Sequence, residues 1–376
     1  MRKLLSSLLA GAMVVSLAAC GGAKTETTST DKSSSQPAAS SSASEAEGED
    51  GEGMTPKKVA VIRNLTSDDH TKQFLQGCVS EGESFGYTVD TFISDGDDAK
   101  MQTLVEQAIQ KNYDGLIISH GKADYSYDML KPAVDKGMKV VTFDTVAEKD
   151  GVQLEGITST AQDDEKLAIL SLDELAALGK DGQPAKVIKV WYGPGVPPLD
   201  KRNVIYQQME KEGKIETVEN IGPSNLQNTQ GDVANGLAAV LPKYKEGEVD
   251  GIWGSWDELA KGALTALKDS NRTDIPMISI DVSNQDINLM REQPDVWRAT
   301  AAVDPKLIGV VDMRLLAKKF AGEETPETYN LEAKLIKAEI LKEDTTMDSL
   351  KEIVDGWGVS DAFDEPWMQE LREANK

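Results

Sequence analysis

The chain has 376 residues, a hydrophobic fraction of 39% and a formal net charge of −24 at pH 7. So acidic a chain lacks the basic surface that binds nucleic acid, and we expect no nucleic-acid partner. Once an export signal and a linker are set aside, roughly 320 residues remain, which is enough for two domains.

The first twenty residues indicate export. Two basic residues precede the apolar run 4–17, and small residues then lead to a cysteine in Leu17-Ala18-Ala19-Cys20. This pattern predicts a signal peptide over residues 1–19, since the apolar run is shorter than a membrane-spanning helix needs. Its end resembles a bacterial lipobox, which implies cleavage before Cys20 and attachment of a diacylglycerol to the thiol. The alternative is a cleaved signal peptide without lipid.

Residues 20–55 are almost all small or polar, and none is aromatic. A segment of this composition cannot bury enough apolar surface to offset the entropy of ordering, so we expect a flexible linker. Signal and linker together predict a protein that is lipid-anchored at Cys20 on the extracytoplasmic face of the bacterial cell membrane. Cys78 then has no disulfide partner, and we expect it to be buried as a small apolar residue.

From residue 57 onward, apolar strands alternate with helices. The expected strands are 57–63, 87–93, 115–119, 139–143, 154–158, 186–191, 215–221, 251–253, 277–280 and 297–302. The expected helices are 68–85, 99–111, 124–136, 162–179, 198–212, 228–241, 257–269, 284–292 and 305–321. This alternation predicts an α/β fold with two successive parallel sheets, each covered by helices on both faces. Residues 329–341 have β character, and the tail is expected to form amphipathic helices near 346–356 and 364–374.

Several segments together resemble type I periplasmic substrate-binding proteins of the ribose and galactose group. They are Val59-Ala60-Val61-Ile62, Asp95-Gly96-Asp97-Asp98, Val140-Val141-Thr142-Phe143-Asp144, Trp253-Gly254-Ser255-Trp256-Asp257 and Ile278-Ser279-Ile280-Asp281. The resemblance covers about 57–341. It implies two doubly wound parallel-sheet lobes, joined by a three-crossover hinge, that close around a small molecule and deliver it to an ABC permease. We expect a monomer that is not an enzyme.

The resemblance and the predicted elements divide the body into two lobes and a tail. We expect 56–158 plus 283–325 in the N-terminal lobe and 159–282 plus 326–342 in the C-terminal lobe. Residues 343–376 then form a C-terminal helical extension.

Three charged residues are the leading candidates for ligand contact. Asp144 and Asp281 each follow an apolar strand, where open α/β sheets bind ligands. In the resemblance, both accept hydrogen bonds from sugar hydroxyls, and Arg202 aligns with a ligand-binding arginine whose planar fork donates to two oxygens. The alternatives are helix N-caps for the two carboxylates and a surface ion pair for Arg202.

Further candidates are aromatic or polar residues near strand ends. Trp256 and Trp191 would pack on a sugar ring, or instead simply fill the core. The remaining candidates are Asn64, Asp69, His70, His120 and Asn228.

Two departures from the family pattern argue against ribose itself. Trp256 replaces the asparagine of ribose-like members, and Val303 replaces a frequent glutamine. They favour a pyranose, a polyol or a sugar derivative, while a nucleoside or autoinducer, or a sensory role beside a receptor kinase, stays open.

The sequence carries no metal or nucleotide-cofactor motif, so we expect neither a metal nor a cofactor. An exported carbohydrate-active enzyme that uses Asp144 and Asp281 as a carboxylate pair is the competing class.

Overall fold

The computed structural model describes residues 55–224 and 228–376. The predicted signal peptide 1–19, Cys20 and nearly all of the predicted linker 20–55 lie outside this range. Within it, no helix combines the length and apolar character needed to cross a membrane. Cys78 is buried, as expected.

Two six-stranded sheets form the body. The strands are β1 Lys58–Arg63, β2 Thr88–Ile93, β3 Gly115–Ser119, β4 Lys139–Phe143, β5 Glu148–Lys149, β6 Val152–Gln153, β7 Ile157–Gln162, β8 Ala185–Val190, β9 Ile215–Ile221, β10 Gly251–Gly254, β11 Met277–Ile280, β12 Trp297–Ala302, β13 Thr328–Leu331 and β14 Lys334–Lys337. The first sheet has the order β13-β7-β4-β3-β1-β2 and the second the order β14-β12-β11-β10-β8-β9, while β5 and β6 form a small hairpin. Every pair in the two large sheets is parallel except β12 with β14.

Helices cover both faces of each sheet. They are α1 Asp69–Ser84, α2 Asp98–Gln110, α3 Ala123–Asp135, α4 Asp164–Ala176, α5 Pro197–Lys211, α6 Thr229–Val240, α7 Asp257–Asp269, α8 Asn284–Glu292, α9 Pro305–Phe320 and α10 Pro366–Ala374. Because side chains alternate along a strand, Val59 and Val61 pack towards α1 and α9, while Ala60 and Ile62 pack towards α2 and α3. The prediction of two doubly wound α/β lobes is confirmed.

Three segments of the described chain pass between the sheets. They lie at Asp163, between β7 and α4; at Val303–Asp304, between β12 and α9; and at Glu332–Ala333, between β13 and β14. The first and third run side by side, because the Asp163 amide donates to the Leu331 carbonyl at 3.0 Å.

The sheet order corrects the expected lobe boundaries. Residues 283–325 were expected in the N-terminal lobe, but α8 packs on β12, and β12 belongs to the second sheet. The chain completes the strand–helix–strand unit β11–α8–β12 within one sheet, as parallel connections normally do, and crosses only at Val303–Asp304.

Two further boundaries shift for the same reason. β7 lies in the first sheet throughout, although 159–162 were expected in the second lobe. β13 also joins the first sheet, beside β7, although 326–342 were expected in the second lobe.

The tail forms one of its two predicted helices. α10 is present, but over 346–356 only Leu350–Glu352 form a single 3₁₀ turn. The apolar spacing at Met347, Leu350, Val354 and Trp357 did mark a buried face. However, the helical segment stops after one 3₁₀ turn, and Gly356, with a left-handed φ of 70°, ends the turn region that follows it.

Candidate functional site

The carboxyl ends of the strands present polar side chains in both lobes. Asn64, His120 and Asp144 directly follow β1, β3 and β4, and Trp191 and Asp281 directly follow β8 and β11. The sequence rule that ligands bind beyond strand ends therefore placed these residues at one edge of each sheet.

Three of these positions carry strained backbone. The φ angles are +64° at His120, +44° at Asp144 and +73° at Asp281. Left-handed conformations are uncommon for residues other than glycine, and they cluster at binding sites where the surrounding structure enforces them. None of the three is a helix N-cap, because Lys122 caps α3 and Ser283 caps α8.

A buried arginine organises the second lobe's edge. Arg202 on α5 donates from Nε to Asp164 Oδ1 at 2.9 Å and from Nη1 to Asp281 Oδ2 at 2.9 Å. Nη1 also reaches the Ser255 carbonyl at 2.9 Å. Burial lowers the pKa of Arg202, but Asp281 and Asp164 outweigh burial and hold its pKa above the usual value. Arg202 is therefore not a surface ion pair.

A second buried arginine, which the sequence reasoning missed, organises the first lobe's edge. Arg63, the last residue of β1, donates from Nε to Thr71 Oγ1 at 3.0 Å and from Nη1 to Ser119 Oγ at 2.9 Å. Its Nη2 lies 2.8 Å from His70 Nδ1, and the guanidinium covers the Phe74 ring at 4.8 Å. Burial lowers its pKa to about 10, so Arg63 stays charged at neutral pH.

Both histidines are neutral at pH 7. Burial, followed by Arg63, lowers the pKa of His70 to about 4. Burial, Arg63 and His70 lower the pKa of His120 well below its usual value. Because Arg63 donates to Nδ1 of His70, the ring proton of His70 sits on Nε2 and can be donated to a neighbour.

Electrostatic effects connect the two edges. Burial raises the pKa of Asp144 to about 7, with a further rise from Asp164 of the other lobe, while Arg202 and Arg63 oppose it. Asp144 Oδ2 also lies 3.8 Å from His120 Nε2. The charged groups of both lobes therefore share one cleft.

The remaining predicted residues occupy varied places. The Asn64 amide donates to Asp98 Oδ1 at 2.8 Å and its oxygen accepts from Ser94, so Asn64 holds the loops behind the cleft. Asp69 accepts from Asn284 of the second lobe at 3.3 Å. Asn228 is exposed at the start of α6, and no described contact joins it to the charged cluster.

The aromatic candidates line the second lobe's edge. The Trp256 ring lies edge-on to Tyr192, with 6.2 Å between centroids, and Lys189 Nζ lies 4.5 Å from the Trp191 ring centroid. Trp253, expected in the core, is fully buried and bonds Ser171.

Several buried polar atoms at the second lobe's edge make no hydrogen bond to the described residues. They include Asp164 Oδ2, Ser255 Oγ and Trp191 Nε1. An unpaired buried polar atom is costly, and a ligand with hydroxyl groups could satisfy each of these.

Asp164, the first residue of α4, is the other site residue that the sequence reasoning missed. Both residues are charged and lie at or just beyond the end of a strand, but this position alone does not say whether the side chain points into the cleft or to solvent. Among the described residues, no cluster of His, Cys, Asp or Glu could hold a metal ion.

A cavity of about 360 Å³ lies elsewhere, at the opposite edge of the first sheet. Its lining includes Lys57, Asp114 and Lys139, which stand where strands begin. It is therefore separate from the cleft.

Two α/β lobes whose strand ends face each other across a polar cleft define a two-lobed binding protein. Residues 59–324 match the family described as periplasmic binding protein domain, and the chain belongs to this family. The family is a non-enzymatic substrate-binding component of ABC transporters, which confirms that the chain is not an enzyme.

Solved structures of similar proteins agree with the fold. A sugar ABC transporter protein from Yersinia enterocolitica is 44% identical, with a TM-score of 0.74, over 86% of this chain and 96% of that one. A 5-methylthioribose transporter solute-binding protein from Thermotoga lettingae is 30% identical, with a TM-score of 0.73, over 85% and 98%. The ribose import binding protein of Salmonella typhimurium is 23% identical over 75% of this chain and 91% of that protein.

The raised pKa of Asp144 predicts a pH-dependent stability. The group binds its proton more tightly when folded, with a pKa of about 7 against 3.8. Its stabilisation is therefore complete below pH 3.8 and is lost as the pH rises through 7. Wild type should therefore lose free energy of unfolding as the pH rises from about 4 to above 7. Asp144→Asn should lose less over the same range, by at most about 4 kcal/mol, as measured by urea titration at each pH.

The matched control is Asp128→Asn, an exposed carboxylate paired with Lys149, which should keep the wild-type pH slope. Burial raises the pKa of Asp312 to about 8, and the Asp144 charge adds to this rise, so Asp312 titrates alike in wild type and Asp128→Asn, whereas Asp144→Asn also lowers its pKa and thereby flattens the same decline further. Equal slopes in Asp144→Asn and wild type would contradict the burial of an ionisable Asp144.

Proposed function

We propose that the protein is an extracytoplasmic, lipid-anchored receptor that captures a sugar or sugar derivative between its lobes and delivers it to an ABC permease. The observation that carries this proposal is that polar groups of the two lobes lie within reach of each other: Asn284 donates to Asp69, and Asp144 of the first lobe lies within Coulombic reach of Asp164 and Arg202 of the second. The expectations of a monomer and of ligand contact at the predicted residues belong to the same proposal.

The balance of charges favours a neutral, polyhydroxylated ligand. Each lobe supplies one arginine, and these positive charges are already matched by carboxylates within hydrogen-bond or Coulombic reach. An anionic ligand would face three carboxylates, and a cationic one would face two guanidinium groups. A hydroxyl both donates and accepts, so a sugar can satisfy the carboxylates, the arginines and the neutral histidines together.

Closure of the lobes supplies the transport signal. A ligand that contacts both lobes binds the closed arrangement better than any open one, and it therefore shifts the population towards closure. The lobes are connected near the crossovers at Asp163, Val303–Asp304 and Glu332–Ala333, which would serve as the hinge.

One relative that is 30% identical favours a substituted sugar over ribose. The Thermotoga protein was solved with 5-methylthioribose, and the Yersinia protein belongs to a sugar transporter. Trp256 and Tyr192 offer apolar ring surface at the cleft edge. An apolar substituent on a sugar would pack on this surface, whereas an unsubstituted pentose would leave part of it without contact.

Ligand capture is tested by thermal unfolding with a defined panel. The panel contains D-ribose, 5-methylthioribose, hexoses, deoxyhexoses, polyols, nucleosides and amino acids. A sugar or sugar derivative present at 100 times its Kd should add about 2.7 kcal/mol by mass action and raise the melting temperature by several degrees. A shift from amino acids alone, or from nucleosides alone, would contradict the proposal, as would chemical turnover of the sugar.

Asp281→Asn locates the ligand in the cleft. Loss of a buried, charged hydrogen-bond partner typically costs about 2 kcal/mol or more, so affinity should fall at least ~30-fold by calorimetry. Arg202 keeps Asp164 as a partner, and the variant should stay folded. Asp128→Asn, on the exposed surface, should bind as wild type does, and unchanged affinity in Asp281→Asn would place the ligand elsewhere.

Anchoring is tested through the two cysteines of the chain. Cys20→Ser, expressed in a bacterium fed a labelled fatty acid, should lose the label and leave the membrane fraction. Cys78→Ser is the matched control, because this buried thiol is not expected to carry lipid. Retention of label in Cys20→Ser would disprove the anchor without affecting the ligand proposal.

A further inference from the structure

The C-terminal extension, residues 343–376, lies beyond the residues that the family match covers, and its first half packs on the second lobe. Four of its apolar residues, Met347, Leu350, Val354 and Trp357, are buried together with Val282, Ile287, Ala302 and Ile336. The Trp357 indole donates to the Met347 carbonyl at 3.2 Å. This half is therefore fixed to α8, β12 and β14.

The second half packs on the first lobe. Glu81 on α1 accepts from Arg314 on α9 and from Arg372 on α10, both at 2.6 Å. Arg314 also donates to the Ser360 carbonyl at 2.8 Å. Met368 and Leu371 of α10 are buried in the cluster that contains residues of α1 and α9.

Between its halves, the extension passes beside the crossovers. A Cβ on Gly358 would lie 2.9 Å from Asp304 Oδ2, and one on Gly356 would lie 2.8 Å from Lys334 Nζ. Asp304 belongs to the second crossover, and Lys334 follows the third. The extension is thus one continuous segment that is covalently joined to the second lobe and docks on both lobes.

The extension also reaches the cleft through one side chain. The Met347 amide donates to Asn284 Oδ1 at 2.9 Å, and Asn284 Nδ2 donates to Asp69 Oδ2 at 3.3 Å. Asn284 begins α8 in the second lobe and Asp69 begins α1 in the first. The extension therefore fixes the asparagine amide that contacts the opposite lobe.

We propose that residues 343–376 act as a strap that restrains opening of the two lobes and holds Asn284 against Asp69. Opening about the crossovers must stretch the 356–360 segment or undock one half of the strap. Both halves are anchored by buried apolar side chains, and the second half also by charged hydrogen bonds to Glu81, so the strap favours the closed arrangement before any ligand binds.

The test loosens the strap while leaving both docked halves intact. Six Gly/Ser residues are inserted between Gly358 and Val359, where Val359 is 71% exposed. Spin labels at Val146→Cys and Val204→Cys report the distance between lobes in the full chain carrying Cys20→Ser. These sites are 50% and 59% exposed, whereas Cys78 is buried and unreactive to the label.

Without added ligand, the insertion should broaden the distance distribution and lengthen its mean by several ångströms. The same insertion after Gly182, an exposed turn of the second lobe, should leave the distribution unchanged. An unchanged distribution in the strap insertion would overturn the proposal, because the extension would then only stabilise each lobe separately.

Asn284→Ala is the second variant, and it tests the strap even if the insertion fails to fold. This substitution removes the contact with Asp69 but leaves the extension at its natural length. The mean distance between the spin labels should therefore increase, but by less than in the insertion variant. A wild-type distribution in Asn284→Ala would show that the strap does not act through the cleft contact and would overturn that part of the proposal.

Discussion

The site depends on one buried guanidinium. Arg202 has only 2% of its side chain exposed, yet it carries a full charge. Burying a charge is costly unless partners and hydrogen bonds compensate for it, and Asp164, Asp281 and the Ser255 carbonyl together supply them. These partners come from the ends of three different strands, so the arginine fixes the relative positions of three loops.

This arrangement explains why strained backbone persists at the cleft. Asp281 holds a left-handed conformation while its carboxylate is tied to Arg202. In the first lobe, Arg63 donates to the hydroxyl of Ser119, and this bond holds the strand end that precedes the left-handed His120. Each lobe thus holds polar groups in place before a ligand arrives, which lowers the cost of ordering them on binding.

The regular part of the fold could be predicted from local patterns. α7 and β11 have the predicted bounds, because the helical spacing of apolar residues marks α7 and an uninterrupted buried run marks β11. Asp144 and Asp281 were found by their position after strands.

Arg63 was missed, since an arginine at a strand end gives no sign of whether it points to solvent. The pairing of Asp164 with Arg202 depends on two helices meeting, which no local pattern encodes. The predicted lobe boundaries were also wrong at β13. An edge strand belongs to whichever sheet it pairs with, and the sequence does not show that β13 pairs with β7.

The proposed mechanism requires that both lobes hold one ligand molecule at once. A crystal structure grown with a sugar that raises the melting temperature tests this most directly. We expect a single molecule in the cleft, with hydrogen bonds to Arg63 or Asp144 of one lobe and to Arg202, Asp164 or Asp281 of the other. A molecule bound to one lobe alone, or one seated in the lysine-lined cavity at the opposite edge of the first sheet, would contradict it.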